Sequence, residues 1–285
     1  MLFLFFGIMN LTRLADTAEK EFRHILEEFF TGVYDERFPS SHNIEHHRRV
    51  WKYAKELLPY YIKINLSASI DLPQKLLIAC FLHDIGMSVD RGVKHGHHSR
   101  NLCKQFLKEN HLKETCYSDV LSAIEYHDQK EYNFSVGGND ILKILTVADD
   151  LDAFGFIGIF RYTEIYLMRK TSFFQIGKII RDNARGRFEN FRNIFGSSVG
   201  LVRKYEKQYS ILDDFFTAYN LNVPRYEFGK TNPEGYCGII DIISNIINQR
   251  SDYSDLTSVS MINHKDPVIK WFFRGFSNEI NLSFS

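Results

Sequence analysis

Leu76-Leu77-Ile78-Ala79-Cys80-Phe81-Leu82-His83-Asp84-Ile85-Gly86 is an apolar run that ends in a histidine and an aspartate side by side. Upstream, Asp71-Leu72-Pro73 reads as a helix start, with a capping carboxylate and a proline suited to the first turn. The run is therefore predicted to be a helix that delivers His83 and Asp84 at its end, where Gly86 lets the chain turn. Burying an ionised carboxylate beside an imidazole is costly unless something compensates. A divalent cation does so, because a neutral imidazole nitrogen and a carboxylate oxygen are both good ligands.

The same helical reading extends in both directions. Asn10 is expected to cap a helix through Leu11, Leu14, Ala18, Phe22, Ile25, Leu26 and Phe29, spaced mostly by three and four. Pro39-Ser40-Ser41 breaks that pattern, and a second helix is predicted from about Asn43 to Tyr61. After His83-Asp84 comes a basic, glycine-punctuated loop, Asp90–Ser99, then helices near Ser99–Lys108, Ser118–Tyr126 and Asp140–Leu151. Loops are expected at Glu109–Glu114 and over 131–138. Beyond Gly155 the pattern is helical through Leu167, then over Phe173–Phe195, Val199–Tyr219, Pro233–Gln249 and Pro267–Ile280, with a polar loop from Arg250 to Asp266. Strand-like alternation occurs only at Tyr226-Glu227-Phe228. The expected fold class is all-α: a helical bundle over residues 40–155, an N-terminal helix (1–39) packed on it, and a helical C-terminal extension (156–285).

Composition narrows the function classes. The 285 residues are 44% hydrophobic, enough for a sizeable core without disulfides. Lys plus Arg equals Asp plus Glu at 35 each, so net charge offers no attraction to nucleic acid or membrane. Cys80, Cys103, Cys116 and Cys237 form no Cys-x-x-Cys pair, which favours a reduced, cytoplasmic protein over a disulfide scaffold. The apolar start, Met1 to Met9, lacks a basic n-region and is too short to span a bilayer. It reads either as an upstream start before Met9 or as an apolar segment docked on the core.

Five further features accompany His83-Asp84. His42-Asn43-Ile44-Glu45-His46 opens the second helix, and two histidines four apart share a face if both are helical. His95 stands in the basic loop beside His97 and His98, and His127-Asp128 follow an amphipathic helix. Asp149-Asp150-Leu151-Asp152 is an acidic cluster within an apolar helix. Arg49, Arg91, Lys94 and Arg100 fall close to these acids and histidines in the chain. Singly, each has an ordinary explanation as a cap, a loop residue or a solvated face. Together, several helix ends and one loop each contribute His or Asp, which points to one metal-binding pocket.

His46, His83-Asp84 and Asp149 resemble the signature of the HD superfamily of metal-dependent phosphohydrolases. His46 with Arg49-Val50 is similar to its first-helix His-x-x-Arg-Val, and Val147-Ala148-Asp149 to its closing helix, so the resemblance spans about residues 40 to 155. It implies that His46, His83, Asp84 and Asp149 hold a metal. His95 and His127 match the extra histidines of two-metal members, so a second ion is implied. His42-Asn43-x-x-His46 is also similar to cyclic-nucleotide phosphodiesterases, which makes His42 the candidate general acid. Met87 stands where members that cleave cyclic di-GMP have Lys, and no Gly-Tyr-Pro segment follows, which counts against that activity.

The implied chemistry is phosphate ester hydrolysis by metal-activated water, with Asp84 and His42 as the catalytic pair. The cofactor is one or two divalent ions, with Mn, Fe, Mg, Ni, Co and Zn all compatible. Arg91 and Lys94 are expected to hold phosphoryl oxygens, with Arg49, His98 and Arg161 as further substrate contacts. The expected partner is a small phosphorylated substrate, with no membrane or nucleic acid. Residues 156–285 either complete the pocket or form a homo-oligomer interface. Two alternatives stand beside this: an HD-fold di-iron oxygenase, and a non-catalytic, metal-stabilised regulatory module.

Overall fold

The computed structural model describes residues 2–34, 38–65, 69–92, 94–129, 139–249, 256 and 258–284. Among these the structure is all-α, with twelve α-helices and no strand. The helices are α1 (Leu2–Val33), α2 (Ile44–Ile64), α3 (Leu72–Leu82), α4 (His95–Glu109), α5 (Ser118–Tyr126), α6 (Asp140–Asp152), α7 (Gly155–Met168), α8 (Phe173–Phe195), α9 (Val199–Asn222), α10 (Gly235–Gln249), α11 (Val259–Ile262) and α12 (Pro267–Phe284). No helix among the described residues is long and apolar enough to cross a membrane.

The chain divides into two compact units. The first comprises Met1–Phe38, His42–Leu151 and Asn190–Ser198. Its centre is α3, where Leu72, Pro73 and every residue from Leu76 to Leu82 are buried. A helix apolar on all sides must be enclosed on all sides, and α1, α2, α4 and α5 enclose it. Each fully buried leucine contributes about 1.5–3 kcal/mol relative to leaving it in water. Helix α2 is amphipathic and starts where the Asn43 side chain accepts the Glu45 N–H at 3.0 Å. Its far end is tied to α6, since Tyr61 Oη donates to Asp140 Oδ1 at 2.6 Å and Asn65 Nδ2 donates to the same carboxylate at 3.0 Å. Asn139 starts α6 by accepting the Leu142 N–H, and it donates to the Asp119 carbonyl on α5 at 2.7 Å.

The second unit comprises Pro39–Ser41, Asp152–Glu189 and Val199–Ser285. Helices α7, α9, α10 and α12 pack around Phe156, Phe160, Phe215, Phe272 and Phe276. The buried Glu164 carboxylate on α7 accepts from the Ser40 N–H (2.9 Å), the Ser40 hydroxyl (2.6 Å) and the Ser41 N–H (2.8 Å). Asp266 starts α12 by accepting the Val268 and Ile269 N–H groups. Phe188, Phe216 and Phe273 are buried as well, whereas Phe174 and Trp271 are exposed.

Several local expectations are corrected. Asn10 does not start a helix, because α1 already runs from Leu2. Asp71 makes no capping bond; its carboxylate pairs with Lys75 Nζ at 2.9 Å instead. His95, Gly96, His97 and His98 belong to the first turn of α4, not to a loop. Tyr226-Glu227-Phe228 is irregular, with Phe228 stacked on Phe173 at 3.9 Å between centroids. The expected loop over 131–138 lies outside the described residues, as do 250–255 and 257 of the polar loop, whose later part contains α11.

Gly86 is needed for proximity, not for a left-handed turn. Its φ is not positive, and a Cβ there would press into the His95 carbonyl and the Ser99 amide. A Cβ on Gly96 would lie 2.6 Å from the Glu125 carbonyl oxygen. These two glycines let α4 approach both the turn after α3 and the end of α5. We predict that Gly86→Ala and Gly96→Ala each lose about 1–3 kcal/mol of stability through this overpacking. A methyl group added at Gly32 would meet nothing within 4 Å, so Gly32→Ala should be neutral or slightly stabilising. Chemical denaturation of the three variants checks the contrast, and equal midpoints would contradict it.

Candidate metal centre

Three histidines are aimed by the same device. His83 directly follows α3 and its Nδ1 lies 3.0 Å from the Cys80 carbonyl. His127 directly follows α5, with Nδ1 2.7 Å from the Ile124 carbonyl. His95 opens α4, with Nδ1 2.6 Å from the Gly92 carbonyl. In every case the partner is the carbonyl three residues back, and the Gly92 carbonyl also accepts the His95 backbone N–H at 3.3 Å. A carbonyl only accepts, so each Nδ1 carries the hydrogen, and in the neutral ring Nε2 presents a lone pair.

Those Nε2 atoms converge. His46 Nε2, from α2, lies 3.2 Å from His83 Nε2, and His95 Nε2 lies 3.4 Å from His127 Nε2. The Asp84 carboxylate stands between the two pairs. Its Oδ2 is 3.2 Å from His83 Nε2 and 3.5 Å from His46 Nε2. Its Oδ1 is 2.9 Å from His127 Nε2 and 3.3 Å from His95 Nε2. Asp149 Oδ1, from α6, is 3.7 Å from His46 Nε2 and 3.9 Å from His83 Nε2. His46, His83, Asp84 and Asp149 thus form one group of donors, and Asp84, His95 and His127 a second, with the atoms of each group within 4.8 Å of one another.

Such a cage requires positive charge. Facing imidazole lone pairs repel, and two carboxylates lie among them, all buried. Without a cation, protons take its place. Burial disfavours a charged His83, but Asp84 and Asp149 outweigh it and raise its pKa to about 10. Burial likewise opposes charge on His95, and Asp84 raises it to about 9. Burial alone would push the Asp84 carboxyl up, yet His83, His127 and His46 hold it well below the usual carboxylate range. The donor set is nitrogen and oxygen throughout, which suits divalent ions of intermediate and hard character. The residues therefore fit a metal, with four donors in the first group and three in the second.

The remaining candidates are placed around this cage or apart from it. His42 lies in a 3₁₀ turn, Ser40–His42, before α2. It is buried, with Nε2 3.7 Å from Asp84 Oδ2 and its ring 5.0 Å from that of His46. Arg49 is buried on α2. Arg91 is half-buried in the turn before α4, Lys94 is exposed at the cap of α4, and His98 is half-buried on its first turn. His97 is exposed and faces Glu125, which also pairs with Arg100. Arg161 lies in the second unit, buried on α7, with Nη1 3.1 Å from Asp152 Oδ2.

Two residues of this neighbourhood escape a reading of the sequence. The Ser99 hydroxyl accepts the Gly86 N–H at 2.8 Å, which fixes the turn carrying Asp84 against α4. His47 is completely buried behind His46 and His83, and burial and those two neighbours push its pKa well down. The His46-His47 doublet on a helix is the available signal, but adjacent helical side chains diverge, so only one can be read into the cage.

Comparison with known families agrees with this geometry. The family model described as the HD domain matches residues 43–154, the segment that contains all six donors. No curated protein and no solved structure matches the chain.

Because protons and metal compete for the same nitrogens, metal binding must release protons. We predict that the apparent affinity of the chelator-treated protein for Mn²⁺ rises from pH 6.5 to pH 9, the range between the ordinary histidine value and that of His95. Protons should appear in solution as Mn²⁺ is added, which titration calorimetry in buffers of different ionisation enthalpy measures. A constant affinity with no proton release would contradict this.

Proposed function

We propose, from an HD domain at residues 43–154 that gathers six buried donors, that this chain is a metal-dependent phosphohydrolase. The observation that carries the reading is the Asp84 carboxylate, whose two oxygens each face a separate pair of imidazoles. That arrangement suits a carboxylate shared by two divalent ions. Such ions, when bound, lower the pKa of water to give hydroxide near neutral pH and neutralise phosphoryl charge.

The protein's own groups divide the remaining work. His83, His95 and His127 fix the reaction centre around Asp84, because their Nδ1 hydrogen bonds to backbone carbonyls leave the rings little freedom to turn. His42 is buried beside Asp84 but is not among the two donor groups. Its Nε2 is thus suited to carry a proton to the departing alkoxide as general acid. Lys94, at the cap of α4, and Arg91, in the turn before it, place positive charge next to His95 in the chain. A phosphate oxygen held there would gain charge-assisted hydrogen bonds, bidentate from Arg91 and single from Lys94. A phosphate monoester, a nucleotide and a cyclic nucleotide all carry the group this chemistry requires.

The test is hydrolysis of a panel of phosphomonoesters, nucleotides and cyclic nucleotides with added Mn²⁺. Asp84→Asn should abolish turnover while the helical circular dichroism stays, because the amide keeps the size but not the charge. Lys94→Ala should retain metal and lose about 1.5–3 kcal/mol of transition-state binding, the worth of a charge-assisted hydrogen bond. That corresponds to a fall in kcat/KM of roughly ten- to a hundredfold. An Asp84→Asn protein with full activity would contradict the mechanism. A Lys94→Ala protein that loses its metal, or hydrolyses as well as wild type, would contradict the role given to the start of α4.

A further inference from the structure

The Cys80 carbonyl receives two imidazoles at once. His83 Nδ1 approaches it at 3.0 Å and His47 Nδ1 at 3.2 Å. The two rings stand 5.2 Å apart, and His47 also lies 5.0 Å from the ring of His46. Cys80 is in the last turn of α3, where carbonyls have no partner within the helix. A carbonyl has two lone pairs, so both Nδ1–H groups can be accommodated.

His47 has a second feature that packing does not explain. Its Nε2 is fully buried and makes no hydrogen bond. The ring packs against Phe30, tilted by 60° at 4.8 Å between centroids. A leucine or phenylalanine would fill that space without burying an unpaired nitrogen. What the imidazole adds is the single hydrogen bond from Nδ1, across from α2 to the end of α3.

We infer that His47 is a positioning residue for the first donor group: it clamps the Cys80 carbonyl so that His46 on α2 and His83 beyond α3 meet on one ion. The two ligands sit one residue and three residues from the two ends of this bond. If it is lost, α2 and the end of α3 keep their apolar packing but lose the link that sets their register beside the cage. The shared carbonyl also keeps its direction, so the His83 ring stays in the orientation that presents Nε2 to His46. This inference rests on the reading of the cage as a metal site.

The test uses full-length protein treated with chelator and titrated with Mn²⁺, with free Mn²⁺ followed by paramagnetic resonance. The melting of each metal-free protein is recorded in parallel. His47→Asn keeps a donor close to the Nδ1 position, whereas His47→Gln places its amide near the Nε2 position and His47→Leu removes the donor. The first Mn²⁺ should bind about 10- to 100-fold more weakly to the Gln and Leu variants, the usual effect of losing a group that orients a ligand. The Asn variant should bind close to wild type. Should the Leu variant fail to melt cooperatively, the contrast between Asn and Gln decides alone. Wild-type affinity in both Gln and Leu would overturn the inference, as would an equal loss in all three with unchanged metal-free melting. A wild-type protein that takes up no Mn²⁺ would instead overturn the metal reading on which it rests.

Discussion

One buried carboxylate sets the terms for the first unit. Asp84 lies within 3.7 Å of five imidazole nitrogens, those of His42, His46, His83, His95 and His127. Desolvating a carboxylate costs several kcal/mol even after relaxation. Imidazoles that offer lone pairs cannot offset that cost, whereas imidazolium rings or a cation can. The cage is therefore incomplete as a set of neutral side chains. This is why residues that are ordinary one by one become a candidate metal centre when the fold brings them together.

Helix ends do the bringing together. His83 and His127 each sit one residue past a helix, and His95 sits at the start of one. The His83 and His127 rings are turned by carbonyls in the last turn of a helix, so an open helix end and the need to orient a ligand are met by one bond. The Gly92 carbonyl that turns His95 also accepts the His95 N–H. Gly86 and Gly96 allow these ends to come close enough for the rings to meet. Tyr61 and Asn65 bring α6, with Asp149, to the far side. The apolar α3 holds the arrangement in place because all the neighbouring helices must cover it.

Much of this could be read from the sequence because metal ligands are chemically distinctive and ordered along the chain. The series His46, His83-Asp84, His95, His127, Asp149 marks the cage without any knowledge of contacts, and α5 and α8 have the boundaries that apolar periodicity suggests. What could not be read depends on proximity. Asp71 has the residue type of a cap but is drawn to Lys75. Gly86 looks like a turn glycine, yet what it avoids is a clash with a helix that begins nine residues later. His47 is indistinguishable from a neutral filler until Cys80 is seen beside it. Arg161 follows the acidic cluster closely in the chain, but its guanidinium is engaged with Asp152.

Whether this cage holds two ions that share Asp84 is decided by the ratio of bound metal to protein. Elemental analysis of the full-length chain after dialysis against Mn²⁺ measures it. Two ions per chain are expected in wild type and one after His127→Ala, because only the second donor group loses a ligand. A wild-type protein with no bound metal, or with a single ion that His127→Ala leaves unchanged, would contradict the sharing of Asp84.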